Sequence, residues 1–262
     1  MRNRTKITVL KFGSSVLRSE KDLPRVVQDI YQVCQRGSQV LVVVSAFGRT
    51  TDELIGRAEN ICQHPDRSAL AALLATGEAT AAALLGLSLT SAGIRARILD
   101  PAQAGLYTIG DALDAELLGA DVERIQAELQ RGVVVLPGFV GRDEAGRTTL
   151  LGRGGSDLTS LFLAQRLGGR CLLVKDVDGL YTSDPARAGY SAQRFTQVSW
   201  ETALAVGGEV VQPKAIRFAA MHALRFAITA VGAAVETEVG PGPNRLAQSE
   251  QAISKDLEEC FA

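Results

Sequence analysis

The feature that most constrains this chain is an alternation of short, fully apolar runs with longer segments of helical periodicity. Residues 40–44 read Val-Leu-Val-Val-Val, which leaves no polar position on either face of a strand. A strand of this kind is buried on both sides, as in a parallel sheet that carries helices on each face. The alternation therefore predicts an α/β fold built on a mainly parallel sheet.

The other predicted elements follow from the same two periodicities. Apolar runs predict further strands at residues 7–12, 95–99, 133–140, 171–174, 226–231 and 234–239. Helical patterns predict helices at residues 22–35, 52–62, 68–92, 121–131, 158–167, 200–205 and 213–223. Turn residues at 143–146 predict a hairpin that joins 133–140 to 148–151. Ligands of such sheets gather at the loops where strands end.

Composition excludes several classes of protein. The chain has 262 residues, is 46% hydrophobic and carries a formal net charge of −1. This is an ordinary soluble profile, and the near-neutral charge argues against a general nucleic-acid or membrane-surface binder. Residues 79–94 form a charge-free run that is shorter than the roughly 20 apolar residues of a membrane span. We expect this run to be a buried helix.

The cysteines argue against a metal or disulfide framework. Four are scattered along the chain, without a C-x-x-C pair and with only two histidines: Cys34, Cys62, Cys171 and Cys260. The spacing predicts free thiols, which are typical of the reducing cytosol. We therefore expect a cytoplasmic protein.

A glycine-rich loop carries the strongest chemical signal. Residues 151–157 read L-G-R-G-G-S-D and separate a predicted strand from a predicted helix. The glycines let the backbone approach a ligand, and a helix start offers N–H groups to an anion. Arg153 adds a planar cation and Asp157 a negative charge, which suits a zwitterion or a phosphoryl donor. Taken alone, the loop is equally well explained as a Gly-rich turn before an Asp-capped helix.

The loop after the first predicted strand, residues 11–15, reads K-F-G-S-S. Lys11 offers an ammonium, and the turn at Gly13 and Ser14 offers N–H groups to phosphate. No Gly-Lys dipeptide, H-R-D or D-F-G sequence is present, which excludes a Walker A loop and a protein kinase. By itself, Lys11 is more simply explained as a solvated charge at a strand end.

Two further positions suit a small polar ligand. Thr51 stands where the second strand gives way to a helix; either Thr51 or Asp52 caps that helix, or the Thr51 hydroxyl receives a carboxylate. Glu78 lies in an otherwise apolar helical stretch. Because an unpaired buried carboxylate costs several kcal/mol, about the cost of a lost charged hydrogen bond or more, Glu78 either faces solvent or meets a cation. We expect it in a cleft, paired with a ligand ammonium.

The last chemically rich loop, residues 175–185, reads K-D-V-D-G-L-Y-T-S-D-P. Its D-G and D-P pairs are turn residues and need no further function. Asp176 and Tyr181 remain candidates for ribose or adenine contacts.

Together these segments resemble the catalytic domain of aspartate kinases, within the amino-acid kinase superfamily. The resemblance covers about residues 7–240 and is carried by K-F-G at 11–13, V-S-A-x-G-x-T-T-D at 44–52, L-G-R-G-G-S-D at 151–157 and D-V-D-G-L-Y-T-x-D-P at 176–185. It implies a three-layer α/β/α sandwich that phosphorylates L-aspartate with ATP and Mg²⁺ in amino-acid biosynthesis, as a homodimer without nucleic-acid or membrane partners. The alternatives are another small acid or amino acid as acceptor, or a catalytically weak nucleotide-binding subunit.

The resemblance also assigns roles to residues. It implies that Lys11 stabilises the transferring phosphoryl group and that Asp157 organises the catalytic centre. The implied ATP contacts are Lys11, Gly13, Ser14, Lys175, Asp176, Tyr181 and Lys214. The implied aspartate contacts are Thr51, Glu78, Arg153, Gly155 and Ser156. No side chain is assigned as a direct metal ligand.

Several positions depart from the family pattern. Ser14 replaces a glycine, Lys175 replaces a threonine and Gln212 replaces a histidine. Glu209 replaces a lysine associated with nucleotide phosphates, and we expect Lys175 or Lys214 to take over that contact. Residues 1–243 are expected to form the catalytic domain and 244–262 a tail without a regulatory domain, which predicts activity without feedback inhibition by lysine or threonine.

Overall fold

The computed structural model describes residues 6–187, 192–208 and 210–247. Its strands are β1 Ile7–Phe12, β2 Gln39–Val44, β3 Ala96–Ile98, β4 Tyr107–Asp111, β5 Asp114–Gly119, β6 Val133–Pro137, β7 Val140–Arg142, β8 Thr148–Leu150, β9 Arg170–Lys175, β10 Phe195–Ser199, β11 Phe226–Ala230, β12 Thr237–Gly240 and β13 Arg245–Leu246. Its α-helices are α1 Leu23–Gln35, α2 Thr50–Ile61, α3 Arg67–Ser91, α4 Val122–Leu129, α5 Gly155–Leu167, α6 Trp200–Val206 and α7 Pro213–Met221. A short 3-10 helix, Glu20–Asp22, precedes α1.

The main sheet has nine strands in the order β13-β10-β12-β11-β9-β1-β2-β6-β3. The central pairs from β11 to β3 are all parallel, whereas β12 and β13 pair antiparallel with β11 and β10. Helices pack on both faces, which confirms the predicted three-layer α/β/α architecture with a mainly parallel sheet. The carboxyl ends of β1, β2, β6 and β9 consequently meet at one edge.

The apolar run at residues 40–44 explains why the sheet is covered twice. Its side chains alternate between two cores: Leu41 and Val43 pack in the core beneath α4 and α5, and Val40, Val42 and Val44 in the core beneath α1 and α3. All five are at most 1% exposed. The strand therefore contributes apolar area to both layers, as the sequence predicted.

The structure also corrects the predicted elements. The predicted strand at 133–140 ends at Pro137, since Phe139 has a positive φ of 35° that breaks the pleat. Strands β4, β5, β10 and β13 were not predicted; β13 lies in the segment expected to be a tail and pairs with β10. Strands β4, β5, β7 and β8 form a second, four-stranded sheet in the order β5-β4-β7-β8. The predicted hairpin at 143–146 is confirmed as the β7–β8 connection.

Helix α3 is the only described helix that is long and apolar enough to suit a membrane span by length and composition. It packs against α1, α2, β3, β6 and β8, and 44% of its most apolar stretch is buried inside the domain. The predicted buried helix is thus found as a core helix of the α/β layers. Among the described cysteines, Cys34, Cys62 and Cys171 are free thiols; Cys260 lies outside the described residues.

Replacing Leu161 by Ala tests the packing of α5, the helix that follows the glycine loop. Leu161 is fully buried beneath the sheet, so the cavity left by Leu161→Ala should lower the free energy of unfolding by about 2–5 kcal/mol. The matched control is Leu87→Ala on α3, where the leucine is 65% exposed and the loss should stay below about 0.5 kcal/mol. Urea unfolding measures both; equal losses in the two variants would contradict this packing.

Candidate active site

A cleft of about 1530 Å³ opens where the parallel strands end. The loops after β1, β2 and β9, the glycine loop and the first turn of α2 line it, and Glu78 of α3 lies at its floor. The structure thereby brings the separate chemical motifs of the sequence to one place. Of the predicted site residues, those that line the cleft are Lys11, Gly13, Ser14, Thr51, Glu78, Arg153, Gly155, Ser156, Asp157, Lys175, Asp176 and Tyr181.

The centre of the cleft is a buried cluster of two lysines and one aspartate. Lys11 at the end of β1 and Lys175 at the end of β9 reach Asp157 in the first turn of α5. Lys11 Nζ lies 2.9 Å from Oδ1 of Asp157 as an ion pair without hydrogen-bond alignment, and Lys175 Nζ donates to Oδ2 at 2.8 Å. The three residues are 4–8% exposed. The cluster carries a net positive charge of one at neutral pH when all three groups are ionised.

The protonation states in this cluster follow from burial and from neighbouring charge. Burial works to raise the pKa of Asp157, but the attraction of Lys11 and Lys175 outweighs it and the net shift is downward. Burial and repulsion from Lys11 lower the pKa of Lys175 to about 8, although Asp157 opposes the shift. Asp157 is therefore ionised at neutral pH, and Lys175 is the lysine whose ammonium form a neighbouring phosphate would stabilise further.

Gly13 explains how Lys11 folds into the cluster. A Cβ at Gly13 would lie 2.7 Å from Nζ of Lys11, so a side chain there would meet the ammonium group. The Gly13 carbonyl accepts from the amides of Val16 and Leu17 at 3.0 and 2.8 Å. The resulting turn leaves Ser14 exposed at the cleft wall.

A second buried pair lies beside the lysine cluster. Ser156 Oγ donates to Oε1 of Glu78 at 3.0 Å, while Oε2 has no hydrogen-bond partner among the described residues. Glycines make the approach possible, since a Cβ at Gly138 would lie 2.5 Å from Cβ of Ser156 and one at Gly77 would lie 3.1 Å from Cβ of Ala46. Glu78 is only 3% exposed. The backbone of Ala46 and Gly138 lies close to this carboxyl group, but the geometry of Oε2 leaves acceptor capacity that suits a ligand donor.

The electrostatics of Glu78 agree with a cation-binding role. Burial raises its pKa to about 8, although the hydrogen bond from Ser156 and the charge of Lys11 oppose the shift. Without a ligand, Glu78 is therefore protonated at neutral pH. A ligand ammonium would favour the ionised form and lower this pKa again.

The glycine loop between β8 and α5 is shaped by its backbone. Gly152 and Gly154 have φ values of 69° and 79°, a region that favours glycine. Helix α5 begins at Gly155, whose amide donates to the Gly152 carbonyl at 3.0 Å, and its first residues, Gly155 to Asp157, line the cleft. Arg153 is exposed between these glycines and lines the cleft.

The remaining predicted residues border this centre. Thr51 lies in the first turn of α2, which begins at Thr50 after the N-cap residue Arg49; the capping role considered for Thr51 is therefore wrong. Asp176 is exposed directly after β9. Tyr181 donates its hydroxyl to Oδ1 of Asp178 at 2.8 Å.

Lys214, which was predicted to contact ATP, is not among the residues that line the cleft. Its Nζ donates to Oδ1 of Asp114 and to the carbonyl oxygen of Leu151, each at 2.8 Å. This placement favours Lys175 over Lys214 as the second cation beside a phosphate. Glu209 lies outside the described residues.

One side of the cleft is an apolar wall that was not predicted from the sequence. Its members come from α2, α3, the β4–β5 turn and the segment around β7 and β8: Ile55, Leu70, Leu74, Leu113, Phe139 and Leu150. Each also contributes to one small core cluster, so the periodicity shows them only as core residues. No local signal distinguishes the cleft-facing members.

A divalent ion would find few protein ligands here. Among the described residues, no group of three His, Cys, Asp or Glu side chains is placed to hold a metal. Asp157, one of the two buried carboxylates of the cleft, already has both oxygens facing lysines. The donor set therefore fits Mg²⁺ held by nucleotide phosphates better than Mg²⁺ held by side chains.

Comparison with known proteins agrees with this fold. The sequence profile of the amino acid kinase family matches residues 6–230, so the chain belongs to the amino acid kinase family. Over 218 residues it is 38% identical to the aspartokinase of Geobacillus stearothermophilus, a match that covers 81% of this chain and 53% of that protein. The chain thus spans about half the length of this relative.

Solved structures give the same result for the fold. The aspartate kinase of Synechocystis superposes with a TM-score of 0.78 at 29% identity, over 93% of this chain and 40% of that chain. The UMP kinase of Bacillus anthracis superposes with a TM-score of 0.66 at 19% identity, over 93% of this chain and 99% of that chain. At this lower identity the likeness concerns the fold alone.

The raised pKa of Glu78 predicts a pH-dependent stability. The folded state holds this proton up to about pH 8, whereas the unfolded chain releases it near 4.5. The contribution of Glu78 to the free energy of unfolding is therefore fully present below pH 4.5 and is lost as the pH rises to about 8. Glu78→Gln cannot titrate, so between pH 5 and pH 9 it should lose less stability than the wild type, by at least about 1 kcal/mol.

Urea unfolding of the ligand-free protein at both pH values measures this difference. The control is Glu116→Gln, which changes an exposed residue of β5 and should follow the wild type. If Glu78→Gln and the wild type lost equal stability between the two pH values, Glu78 would not be protonated in the ligand-free protein.

Proposed function

We propose that this chain transfers the γ-phosphoryl group of ATP to the side-chain carboxylate of L-aspartate, giving 4-phospho-L-aspartate and ADP. The observation that carries the proposal is the adjacency of two buried sites in one cleft: the Lys11–Asp157–Lys175 cluster and the Glu78–Ser156 pair. The first suits a phosphoryl group, and the second suits an ammonium. The 38% identity with an aspartokinase supports the choice of aspartate.

The acceptor would be held by its charged groups. Glu78 Oε2 receives the α-ammonium, which replaces the proton that Glu78 holds without a ligand. The exposed guanidinium of Arg153 pairs with a carboxylate, with which its planar fork makes bidentate contacts. Thr51 and the amides around Gly155 supply further donors at two helix starts. These contacts would orient the side-chain carboxylate towards the lysine cluster.

Phosphoryl transfer then requires no general base. A carboxylate with a pKa of about 4 is already ionised at neutral pH. One of its oxygens attacks the γ-phosphorus as the bond between that phosphorus and the β–γ bridging oxygen breaks, and the electron pair of that bond leaves with ADP. No proton moves in this step. The absence of a histidine from the cleft lining is compatible with this chemistry.

The lysines would stabilise the charge that moves in this step. Lys11 and Lys175 approach Asp157 from neighbouring strands, which fixes both ammonium groups before the substrates arrive. Preorganised cations in a water-poor site stabilise a transferring phosphoryl group more than they would in water. Asp157 acts as their counterion, since its lowered pKa makes it a poor base.

The nucleotide would lie on the β9 side of the cleft. Ser14 and the Gly13 turn offer hydroxyl and N–H donors to phosphate, and Asp176 and Tyr181 border the space beyond Lys175. Mg²⁺ bound to the phosphates would neutralise part of their charge. The homodimer remains an expectation from the resemblance, and the cytoplasmic location remains an expectation from the predicted free thiols.

A second candidate is a different acceptor on the same fold. The apolar wall that includes Leu70, Leu74 and Leu113 exceeds what a small polar acid such as aspartate contacts. The fold itself does not select the acceptor, because a protein named UMP kinase shares it. A nucleotide-binding subunit without catalysis is the weakest candidate, since ATP binding alone does not require the Glu78–Ser156 pair.

An assay of ADP release with L-aspartate tests the proposed reaction. The product is an acyl phosphate, which hydroxylamine converts to a hydroxamate that can be detected separately. Lys11→Met removes a buried cation of the cluster and should lower kcat by at least about 100-fold. The matched control Lys21→Met changes an exposed lysine and should stay within about twofold of the wild type.

The outcomes separate the candidates. Wild-type ADP release with aspartate, together with hydroxamate, supports aspartate kinase activity. Faster turnover with another amino acid or small acid would favour the second candidate, and tight ATP binding without turnover of any acceptor would favour the third. Equal kcat values for Lys11→Met and Lys21→Met would contradict the assigned site.

A further inference from the structure

Outside the cleft, Lys214 joins three segments that are distant in the sequence. Its Nζ donates to Oδ1 of Asp114 and to the carbonyl oxygen of Leu151, both at 2.8 Å. Asp114 begins β5, Leu151 is the first residue of the glycine loop, and Lys214 lies in the first turn of α7. We call this set of contacts the Lys214 clasp.

The glycines of the loop fit the residues that form the clasp. A Cβ at Gly152 would lie 2.5 Å from Oδ1 of Asp114, and a Cβ at Gly154 would collide with Cβ of Gln212, the N-cap residue of α7. The outer side of the loop is therefore in close contact with both β5 and α7. Arg153 is the residue between these two contacts, and its side chain lines the cleft.

The energetics indicate that Lys214 positions the glycine loop rather than stabilising the fold. A cation in the first turn of a helix is disfavoured by the helix dipole, by roughly 0.3–1 kcal/mol. The Lys214–Asp114 pair is partly exposed, at 36% and 70% of the side chains. Pairs of this kind stabilise a fold by about 1 kcal/mol at most. The distinctive contact of Lys214 is its bond to the Leu151 carbonyl, at the start of the loop.

The segments that the clasp joins are themselves fixed. The Leu151 amide donates to the carbonyl of Phe139 at 2.8 Å, so Leu151 is held on both sides of its peptide. The turn between β4 and β5 is fixed as well: the Ala112 carbonyl accepts from the Leu150 amide at 2.8 Å, and Asp111 pairs with Arg67 at the start of α3. The clasp thus anchors the loop to segments that are themselves held by hydrogen bonds and an ion pair.

We propose that Lys214 is a positioning residue for the acceptor site: the clasp fixes the glycine loop so that Arg153 and the loop amides face the acceptor carboxylate. The proposal rests on the proposed function of the cleft. It differs from the sequence prediction that Lys214 binds ATP. In the clasp, Lys214 touches neither substrate and acts through the backbone of Leu151 and Gly152.

Steady-state kinetics with Lys214→Met distinguish the two roles. Methionine keeps the length of the side chain but removes every donor. We expect the KM for aspartate to rise about tenfold, because a small displacement of Arg153 weakens acceptor binding, while the KM for ATP stays within about twofold. Lys214→Arg, which keeps a cation with several donors, should retain most of the affinity for aspartate. The control Arg217→Met removes an exposed cation from the same helix and should change neither KM.

Hydrogen exchange gives a readout that does not depend on activity. In Lys214→Met, the amides of residues 152–155 should exchange at least about fivefold faster than in the wild type, because the loop has lost its anchor. Asp114→Ala removes the other side chain of the clasp from an exposed strand end and should raise both exchange and the KM for aspartate. The double variant should be no worse than the more severe single variant, since both break one set of contacts.

The results decide between the roles. Faster loop exchange together with a raised KM for aspartate supports the clasp. A raised KM for ATP with unchanged loop exchange would make Lys214 a phosphate ligand, and unchanged exchange with both KM values unchanged would make the contacts incidental; either result overturns the proposal. If Lys214→Met fails to fold, Asp114→Ala carries the same test. A wild type inactive with aspartate would refute the proposed function, while loop exchange alone would still decide for or against the clasp.

Discussion

The site depends on one buried carboxylate. Asp157 is 4% exposed and faces a lysine ammonium with each oxygen. Two buried ammonium groups without this counterion would cost several kcal/mol each in desolvation and mutual repulsion. Lys11 and Lys175 come from adjacent parallel strands and Asp157 from the helix after the glycine loop. The order of the strands therefore brings the two lysines together, and Asp157 supplies the negative charge that lets both be buried.

The arrangement of charge also explains how one cleft can take two different charged ligands. The lysine cluster presents a cation to one end of the cleft, while Glu78 presents its buried, unpaired Oε2 as an acceptor on the other side of Ser156. Ser156 and Asp157 are consecutive residues of α5. A single helix start thus joins the phosphoryl side to the ammonium side, and the glycine loop before it adds Arg153. The Lys214 clasp would hold this loop from outside the cleft.

The sequence predicted most of the elements with strong periodicity and missed β4 and β5, whose buried residues are polar or small. The apolar residues 40–44 allowed only a doubly covered strand. In contrast, β4 and β5 bury Thr108 and Ala115, which give no apolar pattern, and Thr108 is satisfied by a hydrogen bond of 2.6 Å to the buried Thr149. The end of β6 at Pro137 depends on the positive φ of Phe139, which no local signal predicts.

The predicted site residues were found by motif, and most of them meet in one cleft. The contacts between them were less predictable, because they depend on pairs far apart in the chain. Asp114 and Lys214 are 100 residues apart, and neither belongs to a recognisable motif. Lys175 was singled out because it departs from a family pattern, yet its bond to Asp157 follows from the pairing of β1 with β9. Side-chain placement of this kind requires the sheet order.

The central claim is that the buried lysine cluster binds the phosphates of the nucleotide. Nitrogen-detected NMR of the lysine Nζ groups tests it directly by following the titration of Lys175, with exposed Lys21 as the internal reference. In the free protein Lys175 should titrate near pH 8, because burial and Lys11 lower its pKa. A non-hydrolysable ATP analogue should raise this pKa by at least about one unit, since phosphate stabilises the ammonium form. A Lys175 pKa that the analogue leaves unchanged would contradict the account.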